Sequence, residues 1–222
     1  MTQNHRAVLF DLDGTLVDTA PDITAALAAM RVHLDLPDLP ARHWRRLVSQ
    51  GGRALVASAL EDAPSIDQDS ALAFFLSHYE AHVFEHSRIY SGMLALMDQL
   101  VDQGQRLGVV TNKRGALAER LLVTAELADR FDVVIGGDTT PHPKPRPEPV
   151  IAACEALGVA PSAAILIGDD RRDVEAARRA GAASVIAGWG YGAEGIDQAM
   201  RATSVWCDQP EDVWPVLQQW GQ

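Results

Sequence analysis

The second half of this chain alternates apolar runs of strand length with segments of helical periodicity, and this alternation limits the folds open to it. The predicted strands lie at residues 107–110, 133–135, 164–167 and 184–186, and the predicted helices at residues 93–104, 115–127, 148–157 and 172–180. These strands are too apolar to keep one face in water. The pattern therefore predicts an α/β fold with a Rossmann-like parallel sheet core that helices cover on both faces.

A further strand is predicted near the amino terminus, and two acidic residues follow it. Residues 7–10 are apolar, and Asp11 and Asp13 come where this run ends. Side chains two residues apart on a strand point to the same side, so the two carboxylates converge. Converging carboxylates repel each other unless a cation or a shared proton compensates. This strand end is therefore a candidate reactive site.

Polar residues also follow two later strands of the predicted sheet. Thr111 comes after the strand at 107–110, and Asp169 comes soon after the strand at 164–167. In parallel α/β sheets, ligands bind beyond the carboxyl ends of the strands. We therefore expect Asp11, Thr111 and Asp169 to lie at one edge of the sheet.

The segment between the first strand and the alternating region has helical periodicity alone. Residues 18–88 contain no run typical of a buried strand, and Pro37 and Pro64 separate their predicted helices. A segment of this length fits a small all-helical domain. The predicted organisation is a core formed by residues 1–17 and 89–222, into which residues 18–88 are inserted.

Composition excludes several classes of protein. The formal net charge of −11 argues against a nucleic-acid partner, which a basic face would bind. No apolar run approaches the roughly 20 residues that a membrane helix needs, and residues 1–6 lack the layout of a signal peptide. Cys154 and Cys207 have no metal or disulfide spacing. We expect a cytoplasmic protein with no membrane partner, present as a monomer or homodimer.

Four short motifs stand in a fixed order along the chain: Asp11-x-Asp13-x-Thr15, Thr111 at a strand end, Lys144-Pro145-x-Pro147, and Gly168-Asp169-x-x-x-Asp173. Taken singly, the first suits a turn cap, the second an ordinary strand threonine and the third a rigid linker. Taken together and in this order, they resemble the motifs of the haloacid dehalogenase superfamily of phosphohydrolases. The resemblance covers nearly the whole chain.

The resemblance implies roles for the polar residues in and beside the first three motifs. Asp11 would be the nucleophile that accepts a phosphoryl group, and Asp13 would protonate the leaving alcohol and later activate water. Thr111 would hydrogen-bond the phosphoryl oxygens, and Asn112 would contact the substrate. Lys144 would steady the charge of the nucleophile and the phosphate. These roles suit phosphate esters, which react very slowly in water. Covalent transfer of the phosphoryl group to a carboxylate accelerates their hydrolysis.

The fourth motif completes the site that the resemblance implies. Asp169 would bind Mg²⁺ together with the Asp11 carboxylate and the backbone carbonyl of Asp13, since Mg²⁺ uses few protein carboxylates. Asp173 would orient Lys144 or a metal-bound water. Asp170 replaces the serine that is usual in one branch of the family, and its role as a neighbour of the site stays open.

Two cationic residues stand out because the chain contains seventeen arginines but two lysines, Lys113 and Lys144. Lysine supplies a compact point charge that a planar guanidinium cannot. The alternating prolines of residues 141–149 predict a stiff, extended arm that carries Lys144. Local cations of this kind are needed, because the net charge of the chain repels an anionic substrate.

Two other patterns are interpreted without a functional role. Residues 190–195 match a dinucleotide-binding fingerprint by letter, but the apolar segment after them is too short for a βαβ unit and predicts a loop. His78, His82 and His86 stand at helical spacing and could bind a metal, but their surroundings favour a solvated helix face.

The resemblance implies a phosphomonoester hydrolase, and several rival functions can be weighed. A dehalogenase is disfavoured because it lacks the acid at the Asp13 position. A phosphonoacetaldehyde hydrolase is disfavoured because residues 18–88 contain no lysine for a Schiff base. A sugar phosphomutase and a non-catalytic binding protein remain open.

The implied substrate is a small carboxylated phosphate ester, and two branches of the family compete. Residues 111–113 and 133–138 resemble phosphoglycolate phosphatases, whereas residues 51–53 and 168–173 are closer to N-acetylmuramic acid 6-phosphate phosphatases. The helical insertion would form a cap over the substrate, since caps exclude water and carry specificity. Arg53 lies between two predicted helices, and two interpretations of it stay open: a contact with the substrate carboxylate, and an exposed residue at a helix start.

Overall fold

The computed structural model describes residues 6–40 and 44–219, apart from the side chain of Arg46. Within these residues the strands, numbered in chain order, are β1 (Ala7–Phe10), β2 (Val17–Asp18), β3 (Arg88–Ile89), β4 (Arg106–Val110), β5 (Val133–Ile135), β6 (Ala164–Gly168), β7 (Ala183–Ala187) and β8 (Val205–Cys207). The helices are α1 (Ala20–His33), α2 (Gly52–Ala59), α3 (Gln68–Ala81), α4 (Met93–Asp102), α5 (Gly115–Thr124), α6 (Glu148–Leu157), α7 (Arg171–Ala180), α8 (Gln198–Arg201) and α9 (Val213–Gln219).

The chain divides into two compact units. The first comprises Met1–Val17 with Ile89–Gln222, and the second is Asp18–Arg88. The first unit holds a six-stranded sheet, and β2 and β3 pair separately as a two-stranded sheet. In the described residues, 6–40 and 44–219, no helix is long and apolar enough to cross a bilayer.

The six-stranded sheet of the first unit has the order β5-β4-β1-β6-β7-β8, and its neighbouring strands are parallel. From β1 the chain adds β4 and β5 on one side and then β6, β7 and β8 on the other. The carboxyl ends of β1, β4 and β6 therefore meet at the switch point, where α/β sheets bind ligands. The predicted α/β Rossmann-like core is confirmed.

Local sequence explains how this sheet closes on its helices. β1 and β6 are buried along their whole length, as the continuous apolar runs predict. Gly108 lets β4 pack closely, because a Cβ there would lie 2.8 Å from Val133 Cγ1 and 2.9 Å from Leu9 Cδ2. α6 and α7 end at Gly158 and Gly181, whose φ angles of 68° and 81° favour glycine.

The sequence did not predict the last strand or the exact ends of some helices. β8 spans three residues, too few for a distinctive apolar run, and its Val205 is exposed. α5 ends at Thr124, three residues before the predicted end, and a 3-10 turn at Ala128–Arg130 follows. Short edge strands and fraying helix ends carry the weakest sequence signals.

The second unit packs α1, α2 and α3 with a 3-10 helix at Arg45–Gln50. A fully buried arginine ties its loops together. The Arg31 guanidinium donates to the backbone oxygens of Pro37 and Ala59 and to both carboxylate oxygens of Asp62, at 2.9 and 2.8 Å for the carboxylate. Because these acceptors satisfy the guanidinium, Arg31 can be buried without an unpaired charge.

A buried carboxylate joins the two ends of the inserted segment. Asp22, at the start of α1, accepts hydrogen bonds from the backbone N–H groups of His86 and Ser87 at 2.7 and 3.0 Å, and also from the Ser87 hydroxyl.

His78 and His82 stack with ring centroids 4.1 Å apart on the partly exposed side of α3. The three histidines therefore have structural neighbours in this unit and stay without a functional assignment.

Candidate active site

The site is built around Asp11, which directly follows the central strand β1. Its Oδ1 accepts a hydrogen bond from the Leu12 N–H at 2.7 Å and lies 3.0 Å from the Lys144 Nζ. β1 is paired on both sides, with Phe10 opposite Val109 and Ile167. The position of the Asp11 carboxylate is therefore set by a strand that is held on both sides.

Lys144 is buried and joins three elements of the site. Its Nζ lies 3.0 Å from Asp11 Oδ1 and 2.6 Å from Asp173 Oδ1, and it donates to the Val110 backbone oxygen at 2.6 Å. Burial alone would lower the pKa of Lys144, but the two carboxylates outweigh it and raise the pKa above its usual value. Lys144 therefore stays charged beside Asp11.

The segment that carries Lys144 differs from the predicted extended arm. The Arg146 N–H donates to the Pro143 backbone oxygen at 3.0 Å, so the chain makes a turn here. The Lys144–Pro145 peptide bond is cis. The prediction of an extended arm was wrong because proline also suits the inner positions of tight turns.

Asn112 holds this turn in place through its side-chain amide. Its Nδ2 donates to the Lys144 backbone oxygen at 2.9 Å, and its Oδ1 accepts from the Lys144 N–H at 2.9 Å. This two-point contact gives Asn112 a part in positioning Lys144 that the sequence did not suggest. The predicted contact of Asn112 with substrate stays a prediction.

Asp169 and Asp173 bring two further carboxylates to the edge of the sheet. One oxygen each of Asp11, Asp169 and Asp173 lies within 4.8 Å of the others. Burial, and then the charges of Asp11 and Asp173, raise the pKa of Asp169 well above its usual value. Burial likewise raises the pKa of Asp173 to about 7, although Lys144 opposes the shift. The buried carboxylates carry more negative charge than Lys144 offsets.

This donor set fits a magnesium ion. Mg²⁺ binds hard oxygen ligands and needs few carboxylates, because it keeps several waters. Burial and the neighbouring negative charges raise the pKa of Asp169, and a divalent cation bound beside its carboxylate would oppose this shift. Asp11 and Asp169 would hold such an ion, while Asp173 is already paired with Lys144.

Asp173 and Asp170 also fix the start of α7. The Asp170 side chain accepts from the Arg172 N–H at 2.9 Å, and Asp173 Oδ2 accepts from the Asp170 N–H at 3.0 Å, forming a capping box. Burial would raise the pKa of Asp170, but its hydrogen bonds from Arg172 hold the pKa below its usual value. Asp170 thus serves the helix start in this structure.

Thr111 and Lys113 lie in the loop that follows β4. Thr111 is buried, and its Oγ1 accepts from the Lys113 N–H at 3.2 Å. Lys113 Nζ lies 2.8 and 3.1 Å from the two carboxylate oxygens of Asp13. The sequence marked Lys113 as one of two lysines but assigned it no contact.

A glycine-rich loop after β7 packs on Asp169. The Gly192 N–H donates to Asp169 Oδ2 at 2.8 Å, and a Cβ on Gly190 would lie 2.2 Å from Asp169 Cβ. On the other side, a Cβ on Gly14 would lie 2.4 Å from Asp169 Oδ2, and Trp189 Nε1 donates to the Thr15 backbone oxygen at 3.0 Å. Two glycine-containing loops therefore enclose the Asp169 carboxylate.

The predicted loop at residues 190–195 thus has a place in the site, as packing around a carboxylate. Sequence reasoning missed this because the glycines were tested against a dinucleotide fingerprint alone. The available signal was their position soon after a predicted strand of the parallel sheet, since the carboxyl ends of parallel strands lie at one edge.

Replacing Gly190 by alanine should displace Asp169. The new Cβ would meet Asp169 Cβ and, at 2.5 Å, the backbone oxygen of Gly14, so backbone has to move. We expect a loss of about 1–3 kcal/mol in the free energy of unfolding, together with reduced turnover. Thermal melting and activity of Gly190→Ala measure both effects.

Gly195→Ala is the matched control, because nothing lies within 4 Å of a Cβ at that position. It should leave both quantities unchanged. Wild-type stability and turnover in Gly190→Ala would contradict the packing described here.

Arg53 lies in the second unit, in the first turn of α2. Its side chain is 73% exposed, and its Nη1 lies 2.8 Å from the Asp69 carboxylate. Asp69 is itself 77% exposed, so the ion pair is a weak restraint on Arg53. The predicted contact of Arg53 with a substrate carboxylate stays a prediction.

Comparison with known proteins places these features in a family. The haloacid dehalogenase-like hydrolase model matches residues 8–187. A phosphoglycolate phosphatase of Xanthomonas campestris is 38% identical over 209 residues, covering 94% of this chain and 95% of the relative. An N-acetylmuramic acid 6-phosphate phosphatase of Pseudomonas aeruginosa is also 38% identical, covering 96% of this chain and 94% of the relative.

A solved structure agrees with these sequence matches. The crystal structure of a predicted phosphoglycolate phosphatase from Haemophilus somnus superposes with a TM-score of 0.86 at 25% identity, covering 98% of this chain and all of that one. The overall fold, the order of the motifs and the sequence similarity all indicate the same family. The chain belongs to the haloacid dehalogenase-like hydrolase family, and within that family it is a phosphatase.

Proposed function

We propose that the protein is a Mg²⁺-dependent phosphomonoester hydrolase that acts through a phosphoryl group carried on Asp11. The observation that carries this proposal is the placement of the Asp11 carboxylate. It follows the central strand, lies 3.0 Å from the buried Lys144 Nζ, and has an oxygen within 4.8 Å of an Asp169 oxygen. A nucleophilic carboxylate beside fixed positive charge is what phosphoryl transfer to an enzyme requires.

In the first half of the reaction, a carboxylate oxygen of Asp11 attacks the phosphorus of the ester. The bond between phosphorus and the alcohol oxygen breaks, and its electron pair goes to that oxygen. Asp13, protonated at this stage, gives its proton to the leaving oxygen. The products are the free alcohol and a phosphorylated Asp11.

In the second half, a water molecule attacks the same phosphorus. Its proton passes to Asp13, now a carboxylate, and the bond between phosphorus and the Asp11 oxygen breaks. The electron pair returns to Asp11, and inorganic phosphate leaves. Asp13 ends the cycle protonated, ready to act as an acid again.

Fixed positive charge supports both halves. Lys144, held by Asp11 and Asp173, contributes a charge that does not have to reorganise during the reaction. Mg²⁺, when bound by Asp11 and Asp169, supplies further positive charge to the phosphoryl oxygens. Thr111 would donate its hydroxyl proton to one of those oxygens.

We assign the substrate to the class of small carboxylated phosphates, with phosphoglycolate as the first candidate. Phosphoglycolate phosphatases 38% identical to this chain support it. N-acetylmuramic acid 6-phosphate is the second candidate, because phosphatases named for that sugar are 38% and 40% identical to this chain. Both molecules carry a carboxylate as well as the phosphate.

A phosphate-release screen tests this assignment. The purified protein is incubated with phosphoglycolate, N-acetylmuramic acid 6-phosphate, glycerol phosphate and glucose 6-phosphate, with Mg²⁺ or with excess EDTA. We expect Mg²⁺-dependent release that is fastest for a carboxylated substrate. Full activity in EDTA, or no release from any ester, would contradict the proposal.

The second unit is the proposed cap over the substrate, and Arg53 tests its part in recognition. If the Arg53 guanidinium pairs with the substrate carboxylate, Arg53→Ala should lower kcat/KM for carboxylated phosphates by about tenfold to a hundredfold. Hydrolysis of p-nitrophenyl phosphate should hardly change, because this substrate has no carboxylate with which Arg53 could pair.

Asp69→Asn provides the control for Arg53→Ala, because it removes the ion pair and keeps the guanidinium. It should preserve the preference for carboxylated substrates. Equal losses on both substrates in Arg53→Ala would assign Arg53 to folding of the unit or to the phosphate itself.

A further inference from the structure

Both lysines of the chain lie at the candidate active site, and each contacts one of the two acidic residues that follow β1. Lys144 contacts Asp11, as the family resemblance suggests. Lys113 contacts Asp13, and neither the motifs nor the proposed mechanism gives it a role. Its side chain is 6% exposed, so this cation is held within the protein.

We propose that Lys113 is a positioning residue that holds the Asp13 carboxylate for the second half of the reaction. The inference rests on the proposed function, in which Asp13 takes a proton from water. Lys113 Nζ lies 2.8 Å from one carboxylate oxygen of Asp13 and 3.1 Å from the other. Contact with both oxygens holds the Asp13 carboxylate facing the ammonium group at two points instead of one.

Hydrogen bonds also hold the backbone of Lys113 in position. The Lys113 N–H donates to Thr111 Oγ1 at 3.2 Å, and the Lys113 backbone oxygen accepts from the Gly137 N–H at 2.7 Å. A Cβ on Gly137 would lie 2.3 Å from the Asn112 backbone oxygen, so the loops after β4 and β5 are in close contact. Lys113 therefore starts from a fixed backbone position when it reaches Asp13.

The contact is chemically suited to one half of the reaction. An ammonium group pairs with Asp13 as a carboxylate, which is its state after the alcohol has left with the proton. Water then attacks the phosphorus on Asp11, one water proton goes to Asp13, and the bond between phosphorus and Asp11 breaks. If Asp13 is misplaced, this step becomes slow and the enzyme with phosphorylated Asp11 accumulates.

Pre-steady-state hydrolysis of p-nitrophenyl phosphate separates the two halves. p-Nitrophenolate leaves without needing a proton, so the first half does not depend on Asp13. In Lys113→Met we expect a burst of p-nitrophenolate that is stoichiometric with enzyme and as fast as in the wild type. The steady-state rate after it should fall about tenfold to a hundredfold, within the range that acid–base catalysis contributes.

Four companion variants sharpen the test. Lys113→Arg keeps the charge and should recover part of the steady-state rate, and Lys113→Gln substitutes for the methionine variant if that one fails to fold. Arg114→Met removes the neighbouring exposed charge and should behave as the wild type. In an Asp13→Asn background, Lys113→Met should cause no further loss, because it acts through Asp13.

The outcomes separate this inference from the proposed function. If Asp11→Asn gives a normal burst and turnover, the proposed function itself fails. If Asp11→Asn gives no burst and Asp13→Asn gives a burst without turnover, the proposed function stands. In that case a wild-type rate in Lys113→Met, or an equal loss of burst and steady state, would overturn the role of Lys113.

Discussion

Asp11→Asn is expected to lower phosphatase turnover by at least about 10⁴-fold, because it removes the group that accepts the phosphoryl. An amide oxygen has neither the charge nor the basicity to attack phosphorus. The measurement is kcat/KM on the best substrate of the phosphate-release screen. Asp11→Ala serves as a second variant, since a trace of asparagine deamidation would restore aspartate and activity.

The fold of Asp11→Asn should survive. Asp11 stabilises Lys144, but it also raises the pKa of Asp169, so its charge has opposing effects on stability. We expect a circular dichroism spectrum and a melting temperature close to those of the wild type. Activity within tenfold of wild type in a folded protein would remove Asp11 from the role of nucleophile.

Lys144→Arg is expected to lower kcat/KM by about a hundredfold or more, although it preserves the charge. Lys144 Nζ reaches Asp11, Asp173 and the Val110 backbone oxygen from one point, all within 3.0 Å. A guanidinium is longer and planar, so it cannot present a point charge to these three acceptors from the position of the Lys144 Nζ. Steady-state kinetics and thermal melting measure catalysis and stability side by side.

The same segment supplies a matched control. Arg146 follows in the same turn, but its side chain is 59% exposed and pairs with Glu148 at 3.3 Å. Arg146→Lys should therefore leave catalysis unchanged. Near-normal turnover in Lys144→Arg would mean that the segment only connects β5 to α6.

The sheet could be predicted because its strands are continuous apolar runs. β1, β4 and β6 bury nearly every residue, so composition alone marks them, and polar residues after them mark the carboxyl edge. β8 could not be predicted in this way, since it is short and half exposed at the edge of the sheet. A strand is detectable in the sequence when its residues are buried and therefore apolar, and the strands at the edge of a sheet are less buried than the central ones.

The contacts between motifs depend on which strands are neighbours. Phe10 pairs with Val109, so the residues after β1 and β4 meet, and this adjacency brings Lys113 to Asp13. Ile167 pairs with Val185, so the glycine loop after β7 reaches Asp169. Neither contact is visible from spacing along the chain, because strand order is a property of the whole fold.

The turn at Lys144 shows a different limit of prediction from the sequence. Alternating prolines fix φ and favour extended predecessors, but they do not show where the chain turns. Asn112 holds the backbone of Lys144 from a different loop, and that contact also forms only after β4 is in place. The resemblance located the lysine, whereas the structure shows how it is held.

The most direct test of the central claim is chemical identification of the phosphorylated residue. Asp13→Asn enzyme is mixed with p-nitrophenyl phosphate and Mg²⁺, quenched in acid, reduced with borohydride and digested for mass spectrometry. Borohydride converts a phosphorylated aspartate to homoserine, so we expect homoserine at position 11 in substrate-treated enzyme and aspartate there in the untreated control. Unmodified Asp11 after a measured burst, or homoserine at another aspartate, would contradict the account.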